Sequence, residues 1–301
     1  MENESININF SSGNLIVLNI CLALIMFGVA LEIRPRHFYQ LMDDKKALLT
    51  GLFCQYILLP LITVILIYVI SPPHDIALGM ILVASCPGGN ASNFFSMLAR
   101  GHIALSVTLS AITSLVCFLI TPASFFFWSS LVEGLTQRVQ SFEINFFDLL
   151  LNMIAILLIP LLLGMSFAHY FPKATERISR PMRTLSILIL MTFIVVAFMN
   201  NFDVFKSHIL SVFWIVFFHN GLGLLSAYYF SAFLKNKESV NRSVAIETGI
   251  QNSGLGLVLI FTFFQGNGSM ALVAAWWGIW HLVSGFAFSY YMRRKPVPQT
   301  I

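Results

Sequence analysis

Apolar stretches long enough to cross a membrane recur along the whole chain, with short polar stretches between them. A helix needs about 20 residues to cross the hydrocarbon of a bilayer, and only helices or closed barrels satisfy their backbone hydrogen bonds there. The pattern therefore predicts an all-α polytopic membrane protein in which residues 1–301 form one membrane domain. The nine predicted spans are 14–32, 47–70, 76–98, 103–127, 146–169, 184–204, 209–234, 242–264 and 270–292.

The composition agrees with a membrane protein and argues against several other classes. Hydrophobic residues make up 57% of the chain and charged residues only 10%, against about a quarter in soluble proteins. The basic residues are spread over short loops, so no nucleic-acid partner is expected. No nucleotide-binding, zinc-protease or serine-hydrolase motif is present, and the sequence does not favour an enzyme.

Lysine and arginine are unevenly distributed between the loops. If the N-terminus lies outside, 15 of the 17 basic residues fall on the cytoplasmic side, and only Arg138 and Lys206 fall outside. Cytoplasmic loops of membrane proteins carry an excess of these residues. The sequence therefore predicts an outside N-terminus, a cytoplasmic C-terminus and an odd number of spans, in a cell membrane such as a bacterial inner membrane.

Two predicted spans are interrupted by polar residues and helix breakers. The span 242–264 contains the stretch 247–256, with a carboxylate, two amides and three glycines, and the span 76–98 contains Cys-Pro-Gly-Gly-Asn-Ala-Ser-Asn at 86–93. A charged residue costs about 2.5–3.5 kcal/mol at the centre of a membrane helix. Two such breaks in matching halves of a chain indicate a binding site at the bilayer midplane. The alternative is a polar patch that joins packed helices.

The positions of these interruptions indicate an internal symmetry. The third and eighth spans run in opposite directions and are five helices apart. This predicts two five-helix repeats of inverted topology, with the first helix of the first repeat missing. The second and seventh spans then correspond, and each places polar residues in an apolar stretch: Gln55 with Pro60 in one, and His219, Asn220 and Gly221 in the other.

Glu247 is the only acidic residue that we place well inside a span beside a helix break. It could be a cation ligand, because hard cations prefer carboxylate, amide, hydroxyl and freed carbonyl oxygens, or it could pair with Arg242 at the cytoplasmic end. Ser106 and Ser110 share one helix face and could add hydroxyl oxygens, or could bond to their own backbone. One carboxylate with two monovalent cations leaves a positive charge, so an anion would complete such a site.

Motifs along nearly the whole chain resemble those of the bile acid:sodium symporter family, as found in bacteria. They are Cys-Pro-Gly-Gly-Asn-Ala-Ser-Asn at 86–93, Leu-Ala-Arg-Gly at 98–101, Ala-Leu-Ser-Val at 104–107, His-Asn-Gly at 219–221 and Glu-Thr-Gly-Ile-Gln-Asn-Ser-Gly-Leu at 247–255. The resemblance implies sodium-driven transport by alternating access. It also implies a panel (about 14–32 and 146–204) beside a core (about 47–127 and 209–292) in which the two broken helices cross.

The resemblance further implies the ligands of two sodium ions and a position for the substrate. One ion would bind Ser92, Asn93, Ser106, Ser110 and Glu247. The other would bind side chains of Gln55, Glu247 and Gln251 and backbone oxygens of Thr248 and Ile250. The substrate, a small organic anion, would lie near Asn90, Asn252 and His281.

The sequence departs from the familiar bacterial pattern in three places. The first helix of a ten-helix member is absent, and Asn90 and Ser110 each replace a threonine. Asn90 is on the substrate side, so the substrate could be a bile-acid-like steroid or a small carboxylate such as pantoate or a 2-oxo acid. Ser110 keeps a hydroxyl oxygen, so the sodium site should survive.

Two other functions remain open. A proton-coupled organic-anion transporter would need only the titration of Glu247, although the surplus of neutral oxygen ligands argues for a metal ion. A membrane sensor would bind the ligand without moving it, although no soluble output domain is predicted. In each case we expect a monomer surrounded by membrane lipid.

Overall fold

The structure is a computed structural model that describes residues 12–31, 44–89, 91–179, 181–182, 184–185, 188, 192 and 202–295, without the side chains of 12–19, 202–209 and 211. Within these ranges the chain is helical, with one isolated β-bridge. We number the helices α1 (Ser12–Ala30), α2 (Lys45–Ile70), α3 (His74–Ser85), α4 (Ala91–Leu98), α5 (Ile103–Ser130), α6 (Leu135–Gln140), α7 (Phe146–Tyr170), α8 (Phe202–Phe233), α9 (Glu238–Gly249), α10 (Ser253–Phe263) and α11 (Gly268–Arg294).

Five described helices are long and apolar enough to cross a membrane: α2, α5, α7, α8 and α11. Their outer faces carry large apolar side chains that would be unfavourable in water, such as Val69 at 76% exposure and Phe147 at 71%. An apolar surface of this extent is typical of contact with a partner or a membrane. The chain is therefore a multi-pass, membrane-embedded helical protein.

Both predicted interruptions are present. The third predicted span consists of α3 and α4, with residues 86–89 outside both helices, and the eighth consists of α9 and α10, separated by residues 250–252. Pro87 cannot donate a backbone hydrogen bond and restricts the residue before it, which explains why α3 ends at Ser85. Gly254, by contrast, lies inside α10.

Other predicted boundaries need correction. Residues 172–179 and 135–140 were expected to be loops, but both are helical. Helix α8 begins at Phe202 rather than at residue 209, so the last residues assigned to the sixth span belong to it. The rest of that sixth span, 184–204, lies largely outside the described residues, and the predicted count of nine spans is therefore not tested.

Two of the long helices contain one turn of π-helix followed by a proline. In α2 the π-helical turn is Cys54–Leu58 and precedes Pro60; in α7 it is Ile154–Leu158 and precedes Pro160. Proline has no N–H, and its ring displaces the carbonyl four residues earlier. The turn before each proline widens, which changes the direction of the side chains on that turn.

The helices pack in a way that brings the two interruptions together. Helix α9 packs against α8 and α4, α3 packs against α5 and α11, and α1 packs against α7. Gly164 allows the last of these contacts, because a Cβ there would lie 2.6 Å from the Cβ of Ala30. The interrupted segments therefore meet deep inside the protein, surrounded by α2, α5, α8 and α11.

Candidate functional site

The backbones of the two interruptions cross and hydrogen bond to each other. Gly88 and Gln251 form an antiparallel bridge. The N–H of Gly89 donates to Ile250 O at 2.7 Å, and the N–H of Asn252 donates to Pro87 O at 2.9 Å. Unwound backbone inside a membrane needs such partners, because no water is available to replace them.

Glycine is required on the 86–89 side of this crossing. A Cβ at Gly88 would collide with Oε1 of Glu247, and a Cβ at Gly89 would lie 3.0 Å from the carbonyl oxygen of Gln251. Any larger residue would push the two backbones apart. The paired glycines therefore determine how closely the acidic side chain of α9 approaches the opposite interruption.

The Glu247 carboxylate lies at this crossing, with only 1% of the residue exposed. Its Oε2 accepts hydrogen bonds from Ser92 at 2.6 Å and Ser106 at 3.3 Å, and its Oε1 accepts one from Ser110 at 2.7 Å. Asn93 joins the cluster, because its Oδ1 lies 2.9 Å from the Ser106 hydroxyl and shares that single proton with Glu247. These residues, which come from α4, α5 and α9, are the set that the family resemblance implies for the first sodium ion, and the structure brings all of them together.

Arg242 occupies a different place from the one that a pairing with Glu247 would need. It is fully buried near the start of α9 and forms a salt bridge with Glu238 at 2.9 Å. Its guanidinium also donates to Ala99 O at 2.9 Å and to Lys295 O at 3.2 Å. The arginine thus ties the ends of α4 and α11 to α9, while three serine hydroxyls surround Glu247.

Gln55 and Gln251 form a second polar group beside the crossing. Each amide donates to the side-chain oxygen of the other, at 2.8 and 3.2 Å. Gln55 also donates to Cys86 O at 2.9 Å, and Gln251 to Thr248 O at 2.7 Å. The structure therefore brings Gln55, Thr248 and Gln251 together, and Ile250 joins them through its bond to Gly89. Gln55 lies on the π-helical turn of α2.

Of the residues predicted to contact substrate, the structure describes Asn252 and His281. Asn90 lies outside the described residues. Asn252 caps α10, since its Oδ1 accepts from the N–H of Leu255 at 3.1 Å. His281 is buried in the middle of α11, and its Nδ1 has no hydrogen-bond partner among the described residues.

Three residues that the sequence did not single out as ligands also belong to the site. Ser96 donates to the Ser106 hydroxyl at 3.1 Å. Asn220 donates to Gly249 O at 2.7 Å, and Ser284 donates to Asn220 Oδ1 at 2.5 Å. The His-Asn-Gly motif pointed to Asn220 as a polar residue in a span, but no sequence signal distinguishes Ser284 from other serines in membrane helices.

The chemistry of these groups is suited to a hard cation. In the described part of the chain, no three His, Cys, Asp or Glu side chains converge as they would around a transition metal. The oxygens that do converge belong to one carboxylate, three hydroxyls, side-chain amides and carbonyls freed by the helix breaks. Hard cations prefer oxygen ligands of these kinds.

Comparison with known proteins gives the family. The model of the sodium bile acid symporter family matches residues 19–208, which is more than half of the chain. The chain belongs to the sodium bile acid symporter family. This agrees with the resemblance drawn from the motifs of both interrupted spans.

Several curated relatives are similar along most of the chain. The uncharacterized sodium-dependent transporter YocS of Bacillus subtilis is 29% identical, over 92% of this chain and 83% of its own length. The probable sodium/metabolite cotransporter BASS1 of Arabidopsis thaliana chloroplasts is 28% identical, over 92% of this chain and 67% of its own. The human P3 protein is 26% identical, over 82% of this chain and 49% of its own. The family is one of sodium-dependent transporters, so this chain is not an enzyme.

Proposed function

We propose that this protein is a sodium-coupled symporter of a small organic anion and that it works by alternating access. One observation carries the proposal: a buried carboxylate, Glu247, accepts three serine hydrogen bonds at the crossing of two interrupted helices. A buried charge is retained only where it is paired, hydrogen bonded or bound to a metal ion. Interrupted helices that meet in this way form the ion and substrate sites of many secondary transporters.

The first sodium ion would bind between α4, α5 and α9. The serine hydroxyls can donate to the carboxylate and still offer lone pairs to a cation, because each hydroxyl oxygen has two. Asn93 adds an amide oxygen. The proposed ligands are Ser92, Asn93, Ser106, Ser110 and Glu247.

The second sodium ion would bind between α2 and the 250–252 interruption. Gln55 and Gln251 offer amide oxygens that now accept from each other, so binding would exchange that pair of hydrogen bonds for two contacts with the cation. The backbone oxygen of Thr248 accepts from the Gln251 amide, and that of Ile250 accepts from the N–H of Gly89. The proposed ligands are Gln55, Glu247, Gln251, Thr248 and Ile250.

Two cations and one carboxylate leave a positive charge that an organic anion would balance. The substrate would lie at the crossing near Asn90, Asn252 and His281. The unpartnered Nδ1 of His281 supports a polar contact there, because buried polar atoms rarely lack a partner. A bile-acid-like steroid, pantoate and a 2-oxo acid are the candidate substrates.

Alternating access requires two bodies that move past each other. The contact of α1 with α7 supports a panel of about 14–32 and 146–204, and the contacts around the crossing support a core of about 47–127 and 209–292. Nine spans in inverted repeats, with the N-terminus outside and the C-terminus in the cytoplasm, complete this proposal. A monomer surrounded by membrane lipid would contain the whole site.

The test is uptake into proteoliposomes with an imposed sodium gradient, using labelled cholate, pantoate and pyruvate as probes. We expect accumulation of at least one probe in sodium medium, none in choline medium, and loss of uptake in Glu247→Gln, which removes the charge with little change in shape. Glu176→Gln, a change of the same kind at an exposed residue, should leave uptake intact.

Other outcomes would point to the other functions. Equal accumulation in choline medium would rule out sodium coupling. Uptake driven by a pH gradient without sodium would indicate proton coupling. Binding of a probe, seen as a raised melting temperature, with no counterflow would indicate a sensor.

A further inference from the structure

Asn220 on α8 is fully buried and reaches the end of α9. Its Nδ2 donates to the carbonyl oxygen of Gly249 at 2.7 Å, and its Oδ1 accepts from the hydroxyl of Ser284 at 2.5 Å. The three residues lie on α8, α9 and α11. One amide therefore joins three helices at the place where α9 is interrupted.

The helices approach closely enough for this short side chain to reach. A Cβ at Gly249 would collide with Leu224, which lies four residues after Asn220 on the same face of α8. On α11, Gly285 makes similar room, because a Cβ there would lie 2.7 Å from Cδ1 of Ile250. The end of α9 and Ile250 are thus packed between α8 and α11, where Asn220 donates to Gly249 O and accepts from Ser284.

Only one orientation of the Asn220 amide satisfies its surroundings. The Gly249 carbonyl is an acceptor only, so it requires the NH₂ group. The Ser284 hydroxyl then donates to the remaining amide oxygen. If the amide were turned around, two oxygens would face each other in a buried place, which is costly.

This contact holds the peptide group between Gly249 and Ile250 at both ends. The N–H of Ile250 donates to Ile246 O at 2.9 Å, while the Gly249 oxygen accepts from Asn220. A carbonyl at the end of a helix has no donor within that helix, so Asn220 supplies it. The peptide lies directly between Thr248 and Ile250, whose backbone oxygens are proposed ligands of the second sodium ion.

We propose that Asn220, oriented by Ser284, is a positioning residue for the second sodium ion. It holds the Gly249–Ile250 peptide and, with it, the carbonyl oxygens on either side: that of Thr248, which accepts from the Gln251 amide, and that of Ile250, which accepts from the N–H of Gly89. Asn220 itself is not a ligand. The inference rests on the proposed sodium-coupled function.

The chain offers a matched control in the same pair of helices. Ser231 on α8 donates to Oδ1 of Asn241 on α9 at 2.6 Å, and both residues are buried. This pair repeats the serine-to-asparagine contact, but it lies near the start of α9, two turns before Gly249. Asn241→Ala and Ser231→Ala therefore each remove a hydrogen bond of the same kind and leave the 250–252 interruption unchanged.

The test is a sodium titration of the melting temperature of the purified full-length protein, with choline replacing sodium at constant ionic strength. We expect Asn220→Ala to raise the half-saturating sodium concentration by about tenfold, which corresponds to about 1.4 kcal/mol. Ser284→Ala should act in the same direction with a smaller effect, and both should lower the cooperativity of the titration. Asn241→Ala should lower the melting temperature in choline while leaving the half-saturating sodium concentration within about twofold of wild type.

The outcomes separate this inference from the function on which it rests. If wild type melts at the same temperature in sodium and choline, sodium coupling and the positioning role both fail. If wild type responds to sodium but Asn220→Ala titrates like wild type, or Asn241→Ala weakens binding equally, the positioning role alone is overturned. Should Asn220→Ala not fold, Ser284→Ala, which keeps the amide and removes only its orienting donor, decides the question.

Discussion

Single residues at the crossing allow the two interrupted helices to approach each other closely. Glu247 comes within hydrogen-bond distance of Ser92, although 155 residues separate them. The Glu247 carboxylate can reach this position only if the facing residue of the other interruption has no side chain, and that residue is Gly88. The glycines of the two motifs therefore serve close approach as much as backbone freedom.

Gly88→Ala tests this role. The added Cβ would displace the Glu247 carboxylate, at a cost of about 1–3 kcal/mol for an overpacked site. We expect the half-saturating sodium concentration to rise at least tenfold, measured by thermal shift. Gly256→Ala is the matched control, because a Cβ there has its nearest contact at 3.7 Å, from Cys86 Sγ. A Gly88→Ala variant that binds sodium as tightly as wild type would contradict the role assigned to this glycine.

At the level of the helices, the two π-helical turns arise in the same way but carry different side chains. Each precedes a proline, but the turn in α2 contains Gln55, whereas the turn in α7 contains only Ile154–Leu158, which is wholly apolar. The widened turn of α2 therefore contributes a polar side chain to the site. The turn of α7 changes only the packing.

Replacement of the two prolines distinguishes these roles. Pro60→Ala restores an N–H and allows the preceding turn to become α-helical, which would rotate Gln55 away from Gln251. We expect weaker sodium binding in Pro60→Ala and unchanged binding in Pro160→Ala, both measured by sodium titration of the melting temperature. Equal sodium affinity in the two variants would show that the turn in α2 does not direct Gln55.

For the molecule as a whole, ion pairs and hydrogen bonds join helix ends that the charge distribution predicts to lie on the same side of the membrane. Arg138, one of the two basic residues expected outside, pairs with Asp75 at 2.6 Å and so joins α6 to the start of α3. Its hydrogen bonds to Asp75 raise the pKa of the Arg138 guanidinium. At the other end of the interrupted helices, Arg242 joins α4, α9 and α11.

The orientation in the membrane is tested with reporter fusions. Alkaline phosphatase is active only outside the cytoplasm, so we expect activity from a fusion after Arg138 and none from a fusion after Lys237. A green fluorescent protein fused after Lys237 should fluoresce, as the reciprocal control. The opposite pattern would mean that the positive-inside interpretation of the loops is wrong.

The sequence alone was enough for the membrane class, most boundaries of the described helices, both interruptions and the family, because these depend on local composition and on short motifs. It could not assign Ser284 to the site or show that 172–179 is helical. Nor could it choose between serines and Arg242 as partners of Glu247. Those outcomes depend on which helix faces meet across long sequence separations. Only the packed structure brings those faces together, since a buried polar group takes whichever partner the packing places within reach.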